Sequence, residues 1–210
     1  IDGEVRANRM SSFVPLYEGL ARNPEAYDIM VQTAIDLAGL PVDADMNCTS
    51  ADIRGARMNS LGAIYKGISR QPEIADKIVQ TSILLTGGIS DIDMECVSAR
   101  EQRMGVLGAL YESIARQPEE ADLLIESAIT LGGNTAPLDL SEKSARVRRM
   151  LSFSTLYESI ARQPSAFDNL MIASNLAGGL ADIDTTDSEI RTARMESYNL
   201  LYEAIARNPE

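Results

Sequence analysis

The sequence predicts an all-α protein, a tandem array of helical hairpins forming an α-solenoid of four and a half units with a period of about 46 residues. Two observations carry this. The segments Leu16 to Glu25, Ile64 to Glu73, Leu110 to Glu119, Leu156 to Ser165 and Leu201 to Glu210 are five versions of one phrase, with starts 48, 46, 46 and 45 residues apart. The distance from Arg9, Arg57, Arg103 and Arg149 to Gly39, Gly87, Gly133 and Gly179 is 30 residues in every copy, whereas the connectors to the next arginine are 18, 16, 16 and 15. A packed unit tolerates no insertion and its loops do, so the constant block holds the hairpin. The chain divides into units 1–46, 47–94, 95–139 and 140–185 and a half unit 186–210, all within one array 1–210.

Within a unit the first helix runs up to the arginine that precedes Asn-Pro or Gln-Pro. Met58, Leu61, Ile64, Tyr65 and Ile68 recur at spacings of three and four, the stripe of an amphipathic helix. The proline sets the end, because the residue before a proline is pushed out of helical geometry. Arg22, Arg70, Arg116, Arg162 and Arg207 then fall in the last turn, where a cation complements the helix dipole.

The second helix is expected to begin on that proline, which has no N–H to satisfy at the first position, with Asn23 as a cap in the first unit. Ile74, Ile78, Val79, Ile83 and Leu85 supply its apolar face. Gly39, Gly87, Gly132-Gly133 and Gly178-Gly179 end it in a left-handed cap. The expected caps of the following first helices are Ser50, Ser98, Ser141 and Asp187. A two-helix unit of this length has the period of HEAT-type repeats and exceeds the tetratricopeptide unit. That likeness is one of period and helix count. A closed helical bundle is the rival architecture.

Composition limits function. A net charge of −12 and a pI near 4.5 argue against nucleic acid or an anionic membrane surface as partner. The absence of histidine removes the commonest general base and metal ligand together. No apolar run reaches the roughly 18 residues needed to span a bilayer, so no membrane insertion is expected. Only Lys66, Lys77 and Lys143 are lysines among 19 basic residues. Forked Arg–carboxylate pairing between helices and a bias in base composition both account for that. Cys48 and Cys96 are too few for a disulfide framework. The chain begins at Ile1 rather than methionine, which implies a removed N-terminal segment; a signal peptide there would place the protein in a secreted or extracellular setting.

The candidate sites are distributed rather than concentrated. Tyr17, Tyr65, Tyr111, Tyr157 and Tyr202 each stand eight residues after an arginine, a ladder for partner binding or, because they share the apolar stripe, rings packed between units. Asp43 and Asp45, Asp91 and Asp93, and Asp182 and Asp184 alternate in the connectors as calcium candidates, with turn formation as the alternative. Their fit to a calcium loop is poor, since Cys48 or Cys96 stands where glycine is needed. No other cofactor is implied. Met10, Met58, Met104, Met150 and Met195 recur at the repeat period, which marks a packing position. Glu18, Glu112, Glu158 and Glu203 each precede an arginine by four residues, whereas Lys66 and Arg70 form a like-charge pair that needs a partner on another helix.

Repetition without a unique site points to a non-catalytic structural or protein-interaction scaffold; a carrier of an apolar or pigment-like ligand is the alternative. Arg207-Asn-Pro-Glu210 contains the start of another second helix, so the sequence reads as a fragment of a longer array, or as a unit whose orphan helix seeks a partner. Head-to-tail contact with another copy of itself or another protein is expected through Met195, Leu200, Leu201 and Ile205.

Overall fold

The structure, a computed structural model, describes residues 3–41, 51–89, 95–134, 137–179 and 182–207. Among these the chain is all-helical, and no strand occurs. The first helices are α1 (Gly3–Arg22), α3 (Ala51–Arg70), α5 (Val97–Arg116), α8 (Lys143–Arg162) and α11 (Ser188–Arg207), each 20 residues long and each ending on the arginine before the proline. The second helices are α2 (Tyr27–Ala38), α4 (Ala75–Thr86), α6 (Ala121–Gly132) and α9 (Phe167–Ser174). Two short helices, α7 (Pro137–Ser141) and α10 (Asp182–Thr186), lie across the expected unit boundaries in the connectors. They are too short to announce themselves by periodicity.

The hinge is tighter than expected. Pro24, Pro72, Pro118 and Pro164 each open a three-residue 3-10 turn, and the α-helix proper starts three residues later. Asn23 makes no side-chain cap; its backbone carbonyl instead accepts the Ala26 N–H at 3.1 Å, as Gln71, Gln117 and Gln163 do for the residues three further on. The first-helix caps also differ from expectation. Ser98 lies inside α5 behind Cys96, and Glu142 rather than Ser141 precedes α8. Asp187 does cap α11, accepting the N–H groups of Glu189 and Ile190 at 2.9 and 3.2 Å. Ser50 lies outside the described residues.

The glycines that end the second helices have φ of 75, 79, 74 and 73° at Gly39, Gly87, Gly133 and Gly178. Their ψ values are extended, 162° at Gly87 and 174° at Gly178, so the conformation is not the left-handed helical cap but a region open essentially to glycine alone. In the fourth unit the cap is Gly178 and not Gly179, because α9 finishes in a 3-10 turn, Asn175–Ala177. A 3-10 helix rises more per residue than an α-helix, so one residue fewer covers the same length.

Helices pack in neighbouring pairs. Each second helix lies against its own first helix, and the first helices meet in chain order, α1 with α3, α3 with α5, α5 with α8 and α8 with α11. Second helices also reach the preceding first helix: α4 touches α1, α6 touches α3 and α9 touches α5. Small residues let the first helices approach. A methyl group added to Gly108 would sit 3.2 Å from the Thr155 hydroxyl, and one on Gly62 would sit 3.5 Å from the Ala109 methyl. The core is one continuous cluster from Met10 to Ala177, with a small satellite of Met150, Ile190 and Ala193. Among the described residues no helix is long and apolar enough to cross a membrane. Pro15 sits within α1 on its exposed side, where the helix continues past it.

Gly87→Ala is expected to lower unfolding stability by about 1–3 kcal/mol through backbone strain. Gly88→Ala, with no atom within 4 Å of the new methyl and no positive φ, is expected to be near neutral. Urea unfolding midpoints of the two variants check this.

Candidate functional site

The least ordinary feature of the interior is its positive charge. Arg54, Arg57, Arg100, Arg103, Arg146 and Arg149 are all buried, none more than 4% exposed. They belong to a pattern, Arg-x-x-Arg-Met, present in all five units at Arg6, Arg54, Arg100, Arg146 and Arg191 and again three residues later at Arg9, Arg57, Arg103, Arg149 and Arg194. Taking a guanidinium out of water costs several kcal/mol unless its donors are matched.

The second arginine of the first four pairs is matched by backbone. Arg57 donates from Nη2 to the Gly87 carbonyl at 3.0 Å, and from the same nitrogen to the Leu131 carbonyl of the next unit at 3.3 Å. Arg103 donates to the Gly132 carbonyl at 3.0 Å and Arg149 to the Gly178 carbonyl at 2.8 Å. Arg9 reaches the Ala38 carbonyl at 3.4 Å. These carbonyls lie at the C-terminal ends of the second helices, where the last four have no intrahelical partner and the dipole is negative. The constant spacing from arginine to glycine therefore has a physical cause: the arginine of the first helix binds the end of the second.

The first arginine of the last three pairs holds the connectors. Arg146 forks onto both carboxylate oxygens of Asp184 through Nε and Nη2, and donates to the Leu140 carbonyl at 3.1 Å and the Gly179 carbonyl at 3.2 Å. Arg149 adds a contact to Asp184 at 3.4 Å. Asp184 is fully buried. Burial, followed by the charge of Arg146, lowers the Arg149 pKa, and Asp184 opposes that shift. Arg100 pairs with Glu142 at 3.3 Å, and Arg191 donates to the Thr185 and Thr186 carbonyls at 2.9 and 3.2 Å.

This changes the place of the calcium candidates. Asp184 has its charge met by two guanidinium groups, so a cation there would face two positive charges. Asp182 is exposed in the first turn of α10. Asp43, Asp45, Asp91 and Asp93 lie outside the described residues. Among the described residues no three carboxylates or cysteines converge as a metal site. Cys96 is a free, half-buried cysteine at the start of α5, and Cys48 is outside the described residues.

The tyrosine ladder divides. Tyr17, Tyr65 and Tyr111 are buried and offer nothing to a partner. Burial raises the Tyr17 pKa to about 12 against the neighbouring Ser82, Arg57 and Thr86, and it raises those of Tyr65 and Tyr111 further. Tyr157 is half-buried at a surface cleft, and Tyr202 is 63% exposed. The methionines divide in the same way, with Met10, Met58, Met104 and Met150 buried and Met195 49% exposed. Leu200 and Leu201 are half-buried and Ile205 is exposed, so the expected face of α11 is at the surface. It has two parts. Met195 stands on an outer surface with Thr192, Glu196 and Asn199, whereas Leu201 and Ile205 line a cleft of about 250 Å³ with Tyr157, Ile160 and Ala161.

Surface ion pairs join units. Lys66 finds its acidic partner on the next first helix, Glu112 at 3.7 Å, while Glu112 also accepts from Arg116 at 2.6 Å. Arg148 reaches back to Glu101 at 3.2 Å. Glu18 with Arg22 and Glu203 with Arg207 form the expected pairs, each at 3.0 Å. Comparison with family models, curated proteins and solved structures finds no match to the chain.

Sequence reasoning used Arg9, Arg57, Arg103 and Arg149 as rulers and overlooked the arginines three residues earlier. The five-fold recurrence of Arg-x-x-Arg-Met was the available signal. Removing the Asp184 charge leaves Arg146 buried beside a neutral side chain, so Asp184→Asn is expected to destabilise the chain by about 3–5 kcal/mol. Asp182→Asn is expected to stay within about 0.5 kcal/mol, as an exposed substitution does. Thermal unfolding of both variants checks the contrast.

Proposed function

We propose that this chain is a non-catalytic protein-interaction scaffold, an open α-solenoid whose helix α11 associates head to tail with another copy. The observation that carries this reading is the fate of one repeated residue. Methionine at the same repeat position is buried in the first four units and half exposed in the fifth, at Met195. A repeat hairpin buries its faces only against neighbours, and the outer face of α11 that carries Met195 has no such neighbour among the described residues, which leaves it open to a heterologous contact.

Two further observations support it. Contacts between first helices follow chain order, as an open stack requires. The buried arginines that are the strongest chemical feature of the chain are occupied with helix ends and connectors, so they serve architecture rather than a substrate. An acidic exterior suits protein partners and disfavours phosphate-bearing ones.

Sedimentation velocity over a range of concentrations tests the proposal. The expected result is a concentration-dependent increase in sedimentation coefficient that Met195→Glu abolishes while helicity is retained. A strict monomer at the highest concentration reached contradicts it, and so does association unaffected by Met195→Glu.

A further inference from the structure

The cleft between α8 and α11 has a filled counterpart at each of the three earlier steps of the same molecule. Its lining residues Tyr157, Ile160, Leu201 and Ile205 correspond, one unit earlier, to Tyr111, Ile114, Leu156 and Ile160. Tyr111 and Ile114 are fully buried there and Leu156 is 5% exposed, because α9 lies against both α5 and α8. One unit earlier again, Tyr65, Ile68, Leu110 and Ile114 are covered in the same way, and α6 lies against both α3 and α5. Between α8 and α11 the described residues place no helix, and Ile205 is 55% exposed.

The arginine at this step is also left over. Arg9, Arg57, Arg103 and Arg149 each donate to a carbonyl at the end of a second helix. Arg194 holds the same place in α11, and among the described residues it donates to no such carbonyl. An apolar cleft and a guanidinium aligned along one helix, repeating an interface already formed at three earlier steps, define what belongs there.

We infer that the α8–α11 cleft is a receptor for an amphipathic helix of the second-helix type, held by apolar contacts along its length and by Arg194 at its C-terminal carbonyls. The helices that fill the earlier clefts state the chemistry of the occupant. Ala121, Leu124, Ala128 and Leu131 of α6 are buried, as are Ala75, Ile78, Ser82 and Leu85 of α4; α9 departs from them, with Leu170 and Ala177 buried, Ser174 half-buried and Phe167 exposed. On the pattern of α4 and α6 the occupant carries small, aliphatic, small and aliphatic residues at positions i, i+3, i+7 and i+10, one face of a helix. It ends in glycine, so that its last carbonyls are open to the arginine. This inference rests on the open-array reading proposed above, and it concerns the cleft rather than the outer Met195 surface.

The test uses a labelled synthetic peptide of residues 117–133, the α6 segment with its hinge and glycine cap, titrated with the Met195→Glu chain and followed by fluorescence anisotropy. The expected result is saturable binding, weakened at least tenfold by Ile205→Asp in the cleft and at least tenfold by Arg194→Met. A peptide of the same composition in scrambled order is expected not to bind. Ile205 is exposed and Arg194 is half-buried on the terminal helix, so far-ultraviolet circular dichroism should show both variants folded. No binding, or binding equal in the Ile205→Asp chain, overturns the cleft assignment. Self-association that persists while the peptide fails removes this inference alone and leaves the proposed function standing.

Discussion

A guanidinium group buried in a helical protein must find acceptors, and here the acceptors are the loose ends of other helices. Each second helix finishes with carbonyls that have no partner within the helix and carry the negative end of its dipole. The first helices α1, α3, α5 and α8 each deliver an arginine to them. A hydrogen bond involving a charged group contributes about 1.5–3 kcal/mol, more than a neutral one. The bond fixes how far the second helix runs before it stops, because the arginine and the stop must meet. That is why the block from arginine to glycine resists insertion while the connectors vary in length.

The same contact couples one unit to the next. Arg57 bonds at once to the end of its own second helix and to Leu131 in the following one, so two hairpins share one cation. Arg146 gathers the connector before α8, the connector after α9 and the buried Asp184 into one cluster. Around this polar seam the packing is conventional: small residues bring the first helices close, and each second helix covers the join between two of them. At the C-terminal step the seam remains, with Arg191 and Arg194 in place, and the covering helix is not among the described residues.

Much of the fold was legible because it depends on spacing. The prolines marked the hinges, the terminal arginines marked the helix ends, and the glycines marked the stops to within one residue. What was not legible depends on which partner a polar group finds in three dimensions. Asp184 reads as a turn residue or a cation ligand in sequence, and only the approach of α8 reveals that Arg146 takes both its oxygens. Asn23 reads as a helix cap, but the 3-10 turn lets its own carbonyl serve instead. The tyrosine ladder looked uniform, yet burial depends on the number of covering neighbours, and that number falls from Tyr111 to Tyr202. The exposure of Met195 and Ile205 on α11 follows from the same number, since the described residues place no second helix against α11.

The account stands on the bond between a first-helix arginine and the end of its own second helix, and hydrogen exchange of an Arg103→Met chain tests it most directly. Methionine keeps the apolar stem and removes the donor, so the last turn of α6, residues 129–133, is expected to lose part of its protection, Arg57 still holding the Leu131 carbonyl, while α4, bound by Arg57 at Gly87, keeps its own. Unchanged exchange across residues 129–133, or a loss confined to α5, would contradict the account.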